Sequence, residues 1–241
     1  MLRGHSDSPP AQPTTPLTRS SKGYSLRVVG HSLGAGAAIL LSLMLKRDFP
    51  ALRCLAYGTP GGLLSPRLAE ATKAWTTTYI VGRDLVPRLS LDSVYALRDD
   101  LLRLLARCRA NKNAVLRSVL DKDARATVER LLYPPGEEPR SDFLTQLEAY
   151  EAQMKEVERR VTQAPLVPAG RLVHFVKSHQ ATVPAGVCGA GKRTQQRYTP
   201  VWAEAEEFRH IYVSSSMALD HLPDRMLVVM RETCEHMGIE V

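Results

Sequence analysis

With 241 residues and 44% hydrophobic side chains, the chain carries enough apolar surface for one large domain, or for one domain with an insert. A formal net charge of +7 favours anionic surfaces such as acidic lipid headgroups; Lys and Arg are scattered and no nucleic-acid module is visible, so nucleic acid is excluded as an expected partner. No apolar run is long enough to span a bilayer, no apolar leader reads as a signal peptide, and Cys54, Cys108, Cys188 and Cys234 lie too far apart for a disulfide frame or zinc site, so they read as reduced cytosolic thiols.

Residues 1–23 are rich in Ser, Thr and Pro with almost no large apolar side chains, so a disordered lead is expected. Residues 26–29 form a β-branched run that reads as a buried strand, and residues 33–46 as the helix after it. Between them stands Gly30-His31-Ser32-Leu33-Gly34, a G-x-S-x-G pattern. The pattern alone recurs by chance. With a strand before and a helix after, it reads as a strained turn that exposes a serine hydroxyl above a sheet. Glycines at positions 30 and 34 are expected because side chains there would collide with the neighbouring strand or the helix start. The helix N-terminus behind Ser32 offers free N–H groups to a developing oxyanion.

Pro50 breaks the chain. Residues 52–57 read as a second strand, ended by Gly58-Thr59-Pro60-Gly61-Gly62. Ser65 is placed to cap a helix that starts at Pro66 and runs to about Lys73. Residues 76–81, TTTYIV, are a third strand that ends at Gly82-Arg83-Asp84. Strands and helices alternating at this spacing predict a parallel α/β sheet. From Leu91 to about Leu132 the spacing turns helical, with Leu97, Leu101, Leu104 and Leu105 at three- and four-residue steps. Arg98, Arg103, Arg107, Arg109, Lys112 and Arg117 give it a basic face. That face is either solvated or a cationic surface resting on membrane or covering the active site. Residues 133–136 break the helix, and residues 142–160 form another within a polar stretch. Residues 170–176 are the next strand, residues 178–200 a loop, residues 202–213 contain a short apolar segment, and residues 222–237 are the closing helix.

A serine hydroxyl needs a neutral imidazole to take its proton and a carboxylate to orient that imidazole. In α/β hydrolases these follow in the chain order serine, acid, histidine, with acid and base beyond strand ends. Asp84 directly follows the third strand and is the expected acid, although Gly-Arg-Asp before a helix also makes an ordinary turn. Asp92 is the rival, further from the strand end and read as a helix cap. Among the histidines, His5 lies in the lead, and His31 sits too close to Ser32 to point back at it. His174 alternates with apolar residues as a structural strand residue. His210 precedes Ile211 in an expected strand, and His236 lies near the C-terminus. His221, in a loop before the last helix, is the leading base, and His179, past the end of a strand, is the alternative.

These segments resemble the class 3 lipase domain of sn-1-specific diacylglycerol lipases. The likeness rests on Gly30-His31-Ser32-Leu33-Gly34-Ala35-Gly36, on residues 52–57 with Pro60-Gly61-Gly62-Leu63, on Val81-Gly82-Arg83-Asp84-Leu85-Val86-Pro87-Arg88, and on Met217-Ala218-Leu219-Asp220-His221-Leu222-Pro223-Asp224. The last segment is most similar to the beta-type enzyme. The resemblance implies Ser32 as nucleophile, Asp84 as orienting acid, His221 as base, and the N–H of Leu33 as an oxyanion donor. It implies a partial α/β-hydrolase fold over residues 24–237, with a mostly parallel sheet. A helical, regulatory or lid-like insert over about residues 100–168 separates acid from base. The activity implied is hydrolysis of diacylglycerol at sn-1 to 2-monoacylglycerol and a fatty acid, without a cofactor for the chemistry. The family also implies calcium stimulation and a membrane domain upstream, hence a location on the cytoplasmic face of a membrane. Because the sequence opens just before the nucleophile strand, a truncated domain is expected, lacking the loop that supplies a second oxyanion donor. Loss of one such donor costs roughly a hundred- to thousand-fold in rate. Two other readings use the same residues: a hydrolase half-fold that has lost catalysis and serves as an interaction module, and a soluble esterase for small acyl esters.

Overall fold

The computed structural model describes residues 24–110, 130–160, 165–184 and 192–239. The expected lead over 1–23, the middle of the long helical stretch with Lys112 and Arg117, and Cys188 lie outside the described residues.

Five strands form one sheet in chain order: β1 (Arg27–His31), β2 (Arg53–Tyr57), β3 (Thr76–Val81), β4 (Arg171–Pro184) and β5 (Lys192–Ala203). The first four run parallel and β5 returns antiparallel to β4. The helices are α1 (Leu33–Leu45), α2 (Pro66–Thr72), α3 (Leu91–Ala106), α4 (Asp142–Arg160) and α5 (Pro223–His236). This is the α/β architecture expected, with the Ser32 turn at the carboxyl end of a parallel strand as in an α/β-hydrolase core.

The period-2 alternation of the strands assigns side chains to two faces. Cys54, Ala56 and Ile80 point to one side, and Tyr57, Tyr79 and Val81 to the other. The first side is covered by α1 and α2, whose Ala35, Ala38, Ile39 and Ala69 pack with Leu52, Trp75, Val167 and Ala169. Ala35, Ala38, Ile39 and Ser42 recur at three- and four-residue steps, which is why α1 lies flat on the sheet. The second side is covered by α5, where Met226 and Val229 meet Val81, Phe175 and Tyr198.

Three expectations change. Residues 26–29 do not form a buried strand: β1 stands at the edge of the described sheet and Val29 is 59% exposed. A β-branched run reports strand propensity, not where in the sheet the strand stands. Of the expected loop over residues 178–200, residues 178–184 and 192–200 belong instead to β4 and β5, an antiparallel pair, and residues 185–191 lie outside the described residues. Their polar and turn-forming composition hid a two-stranded ribbon that hydrogen-bonds without needing a continuous apolar face. His210 lies in an irregular segment instead of a strand.

Ser90, not Asp92, caps α3: its Oγ accepts from the Ser93 N–H while Ser93 Oγ accepts from the Ser90 N–H. Asp92 sits in the first turn, where its charge suits the helix dipole. The basic face of α3 is engaged with its neighbours while staying half-buried or exposed. The Arg98 guanidinium lies over the rings of Tyr95 and Tyr150, at 4.9 and 5.1 Å, and Arg103 pairs with Glu151 of α4 at 2.9 Å. Arg107 donates to the Tyr133 carbonyl, and Arg109 covers the Tyr133 ring. These arginines tie α3 to α4 and to the following loop, which neither of the two expected readings of the face foresaw.

Candidate active site

The carboxyl ends of β1, β2 and β3 lie side by side, and each ends in a tight backbone turn. After β1 comes Ser32, with φ 58° and ψ −129°, the only non-glycine with positive φ among the described residues. Such a conformation costs of order 1–3 kcal/mol and persists because its surroundings over-determine it. The Ser32 N–H donates to the Tyr57 carbonyl at 2.9 Å, and the Ser32 carbonyl accepts from Ala35 as α1 begins. Turning so sharply brings α1 against β1. A Cβ on Gly30 would lie 2.2 Å from the Gly34 carbonyl oxygen, so position 30 must be glycine. Gly34 is different: a Cβ there meets nothing within 4 Å. The expected collision at position 34 is therefore absent, because a side chain there would enter open space even though the Gly34 backbone lies against Gly30. Gly34→Ala is expected to hold or raise the thermal midpoint, by up to about 1 kcal/mol of stability, because alanine replaces glycine inside a helix. Gly30→Ala is expected to lower it by about 1–3 kcal/mol or more through overpacking. Thermal unfolding of the two variants separates these outcomes.

The structure brings three distant side chains together. Ser32 Oγ lies 2.8 Å from His221 Nε2, and His221 Nδ1 lies 3.0 and 3.1 Å from the two carboxylate oxygens of Asp84. Asp84 is fully buried and also accepts the Val86 N–H at 2.9 Å. A carboxylate only accepts, so Nδ1 of His221 carries its proton toward Asp84. Nε2 is then the lone-pair nitrogen, and the serine hydroxyl donates to it. Beside Ser32, the backbone N–H of Leu33 has no hydrogen-bond partner among the described residues, as the first N–H groups of a helix do not. Gly58, at φ +56°, closes the cluster: a Cβ there would lie 2.9 Å from Asp84 Oδ2 and 3.0 Å from the His221 ring.

The remaining candidates stand apart. His174 donates from Nε2 to the Gly82 carbonyl at 2.7 Å, and burial pushes its imidazole below the ordinary histidine range, so it is a structural strand residue. His210 is exposed, and its carbonyl accepts from Arg88. His236 ends α5 beside Arg197. His5 and the side chain of His179 lie outside the described residues.

Two residues in the site escaped the sequence reading. His31 does not point at Ser32. Its Nε2–H donates to the backbone carbonyl of His221 at 2.8 Å, and the two rings lie 4.7 Å apart, so it holds the base segment from the other side. Asp220 is 1% exposed; its Oδ2 accepts the Arg83 N–H at 2.9 Å and the Ser216 hydroxyl at 2.8 Å. It clamps the short helical turn Leu219–His221 onto the loop that carries Asp84. The packing is tight enough that a Cβ on Gly82, at φ +53°, would lie 2.6 Å from this carboxylate. The adjacent Asp220-His221 pair is the available signal, but only the fold shows that the Asp side chain binds the loop carrying Asp84. Asp220→Ala takes the acceptor from two part-buried donors, the Arg83 N–H and the Ser216 hydroxyl, at a cost of about 1 kcal/mol each. It is expected to lower kcat for ester cleavage with little change in KM, and Asp220→Asn, which keeps one acceptor oxygen, to restore part of it. A purely structural role would lower folded yield with kcat per folded molecule unchanged.

Among the described residues, no group of three or more His, Cys, Asp or Glu side chains could hold a metal ion, so the calcium expectation finds no ligand set there. No described helix is long and apolar enough to cross a membrane.

Residues 13–94 match the family model of class 3 lipases, a stretch that holds Ser32 and Asp84. The chain is 34% identical over 218 residues to diacylglycerol lipase-alpha of Homo sapiens, an alignment covering 86% of this chain and 19% of that protein. It is 31% identical over 221 residues to diacylglycerol lipase-beta of Mus musculus, covering 85% of this chain and 31% of that protein. The chain thus spans less than a third of the length of either relative. Identity is higher to the alpha type than to the beta type, so the beta-like leaning of the base segment does not extend over the alignment. A crystal structure of a lipase from Rhizopus microsporus var. chinensis aligns at a TM-score of 0.26 with 23% identity, covering 29% of this chain and 26% of that one.

Proposed function

We propose, with the class 3 lipase match over residues 13–94 as premise, that the chain is a carboxylic ester hydrolase acting on diacylglycerol through Ser32, His221 and Asp84. The observation that carries this reading is the continuous hydrogen-bonded line from Ser32 Oγ through the His221 ring to the buried Asp84 carboxylate. In the acylation step Ser32 Oγ attacks the ester carbonyl carbon and passes its proton to His221 Nε2. Asp84 keeps the Nδ1–H in place and stabilises the imidazolium. The Leu33 N–H, at the positive end of α1, faces the oxygen that gains the negative charge. The bond to the glycerol oxygen then breaks, and that oxygen takes the proton from Nε2. Water adds to the acyl-Ser32 ester, giving a proton to Nε2, and Ser32 leaves with it as the fatty acid is released.

The relatives named as diacylglycerol lipases support a neutral glyceride as substrate. Leu33, 80% exposed beside the nucleophile, supports an apolar acyl chain and a membrane surface as its source. The finer assignments belong to the same reading: cleavage at sn-1, release of 2-monoacylglycerol, and action at the cytoplasmic face. The test is hydrolysis by the purified chain of a diacylglycerol bearing different acyl chains at its two positions. Release of the sn-1 acid with 2-monoacylglycerol is expected. Preferential release of the sn-2 acid overturns the regiochemistry. Absence of both hydrolysis and fluorophosphonate labelling overturns the enzyme reading in favour of an interaction module, and faster turnover of short-chain esters than of glycerides favours the small-ester esterase.

A further inference from the structure

Beyond the Ser32 site, the loop that leads into Asp84 has a second face, which lines a cavity of about 520 Å³. Its walls carry Arg83, Arg88 and Lys177 together with His174, and neither Asp nor Glu is among the lining residues. Arg88 is the unusual member. It is 4% exposed, held between the rings of Phe208 and Tyr212 at 4.7 and 4.5 Å, and its Nη1 donates to the carbonyls of Glu207 and His210. Its Nε is buried without a partner, and its Nη2 has no hydrogen bond among the described residues. Asp84 and Glu207 act on it electrostatically, but neither forms an ion pair with it among the described residues. A buried guanidinium is costly unless an anion or a full set of acceptors meets it, and this one has only part of that set.

With Nη1 committed to carbonyls and Nε buried, Nη2 is the Arg88 nitrogen left to meet a tetrahedral oxyanion, and Arg83 and Lys177 add charge from the other walls. The exposed lining is apolar apart from Arg83: Tyr212 is 50% and Val213 67% exposed, with Val176 at 39%. One buried cation, with a half-buried Lys177 and an exposed Arg83 among exposed apolar side chains, matches a phosphate group carried at a membrane surface. We propose that this cavity binds a phosphate ester, the headgroup of an anionic phospholipid, at a site separate from the ester-cleavage site. It does not depend on the hydrolase reading, because it concerns an anion that is neither substrate nor product of ester cleavage.

The test measures binding of the full chain to phosphatidylcholine vesicles with and without phosphatidic acid, and separately to inorganic phosphate. Lys177→Glu and Arg83→Glu are compared with Arg67→Glu, an exposed α2 position with the same charge change. Both cavity variants are expected to lose about tenfold or more in affinity for phosphatidic-acid vesicles, the worth of one charge-assisted contact. Arg67→Glu is expected to lose about twofold or less, and inorganic phosphate to compete with the vesicles. Binding of inorganic phosphate with the same variant dependence, but without vesicle binding, keeps the phosphate site and makes a free phosphate ester its source. Equal losses in all three variants would mean diffuse attraction by a basic surface and overturn the site, as would vesicle binding that saturating phosphate leaves unchanged, or no binding of either probe.

Discussion

Ser32→Ala is expected to lower turnover of an ester by about 10⁶-fold and to abolish labelling by a fluorophosphonate probe. The size follows from how the site is coupled. His221 Nε2 has its lone pair aimed at one hydroxyl, 2.8 Å away, and Asp84 orients that imidazole from the opposite side. Without the hydroxyl, the base and acid have no nucleophile to serve, so their contributions vanish together with that of the serine. What remains comes from substrate binding and the free N–H groups at the start of α1, roughly 10³–10⁴ over water in comparable sites. The substitution removes a single oxygen, and alanine must accept the backbone at φ 58°, so folded yield should be measured beside the rate. Persistent labelling in the folded variant would transfer the nucleophile to another residue and remove the basis of the hydrolase reading.

Asp84→Asn is the second large effect, an expected fall in kcat of about 10⁴-fold with the fold retained. The change is nearly isosteric, and the amide oxygen can still accept the Val86 N–H. The amide nitrogen, however, presents hydrogens where the His221 Nδ1–H needs an acceptor. The imidazole then favours the other tautomer, with its proton on Nε2, facing Ser32 as a donor where an acceptor is required. Labelling should slow in parallel with ester cleavage, while the thermal midpoint moves little. A change of less than about tenfold in kcat would show that Asp84 only braces the turn, the ordinary reading of Gly-Arg-Asp after a strand.

Several features of this chain were readable because they depend on neighbours in sequence. β3 carries a run of β-branched residues, Ser65-Pro66 opens α2, and Gly30-x-Ser32 between a strand and a helix demands a sharp turn. The motif treats its two glycines alike, whereas a Cβ on residue 30 would run into the Gly34 backbone and a Cβ on residue 34 would face open space. The hairpin of β4 and β5 was hidden because pairing between strands is satisfied by backbone groups that composition does not report. In the sequence His31 sits too close to Ser32 to serve as base, and nothing local gives Asp220 a role. Their roles come from contacts that span 137 and 190 residues of chain.

By itself the sequence determined the alternation of strands and helices, the strained position of Ser32, and which residue types were on hand for acid and base. These rest on steric limits and periodicities that act over a few residues. The tertiary structure alone decided that β1 stands at the edge of the described sheet, that Asp84 and His221 meet Ser32, and that Asp220 binds the loop carrying Asp84 instead of the His221 ring. It alone also decided that Arg88 is buried without an ion-pair partner among the described residues, in a cavity that Arg83 and Lys177 share. Hydrogen bonds and charges act over a few ångströms, and only the parallel stacking of β1, β2 and β3 brings their three loops within that range.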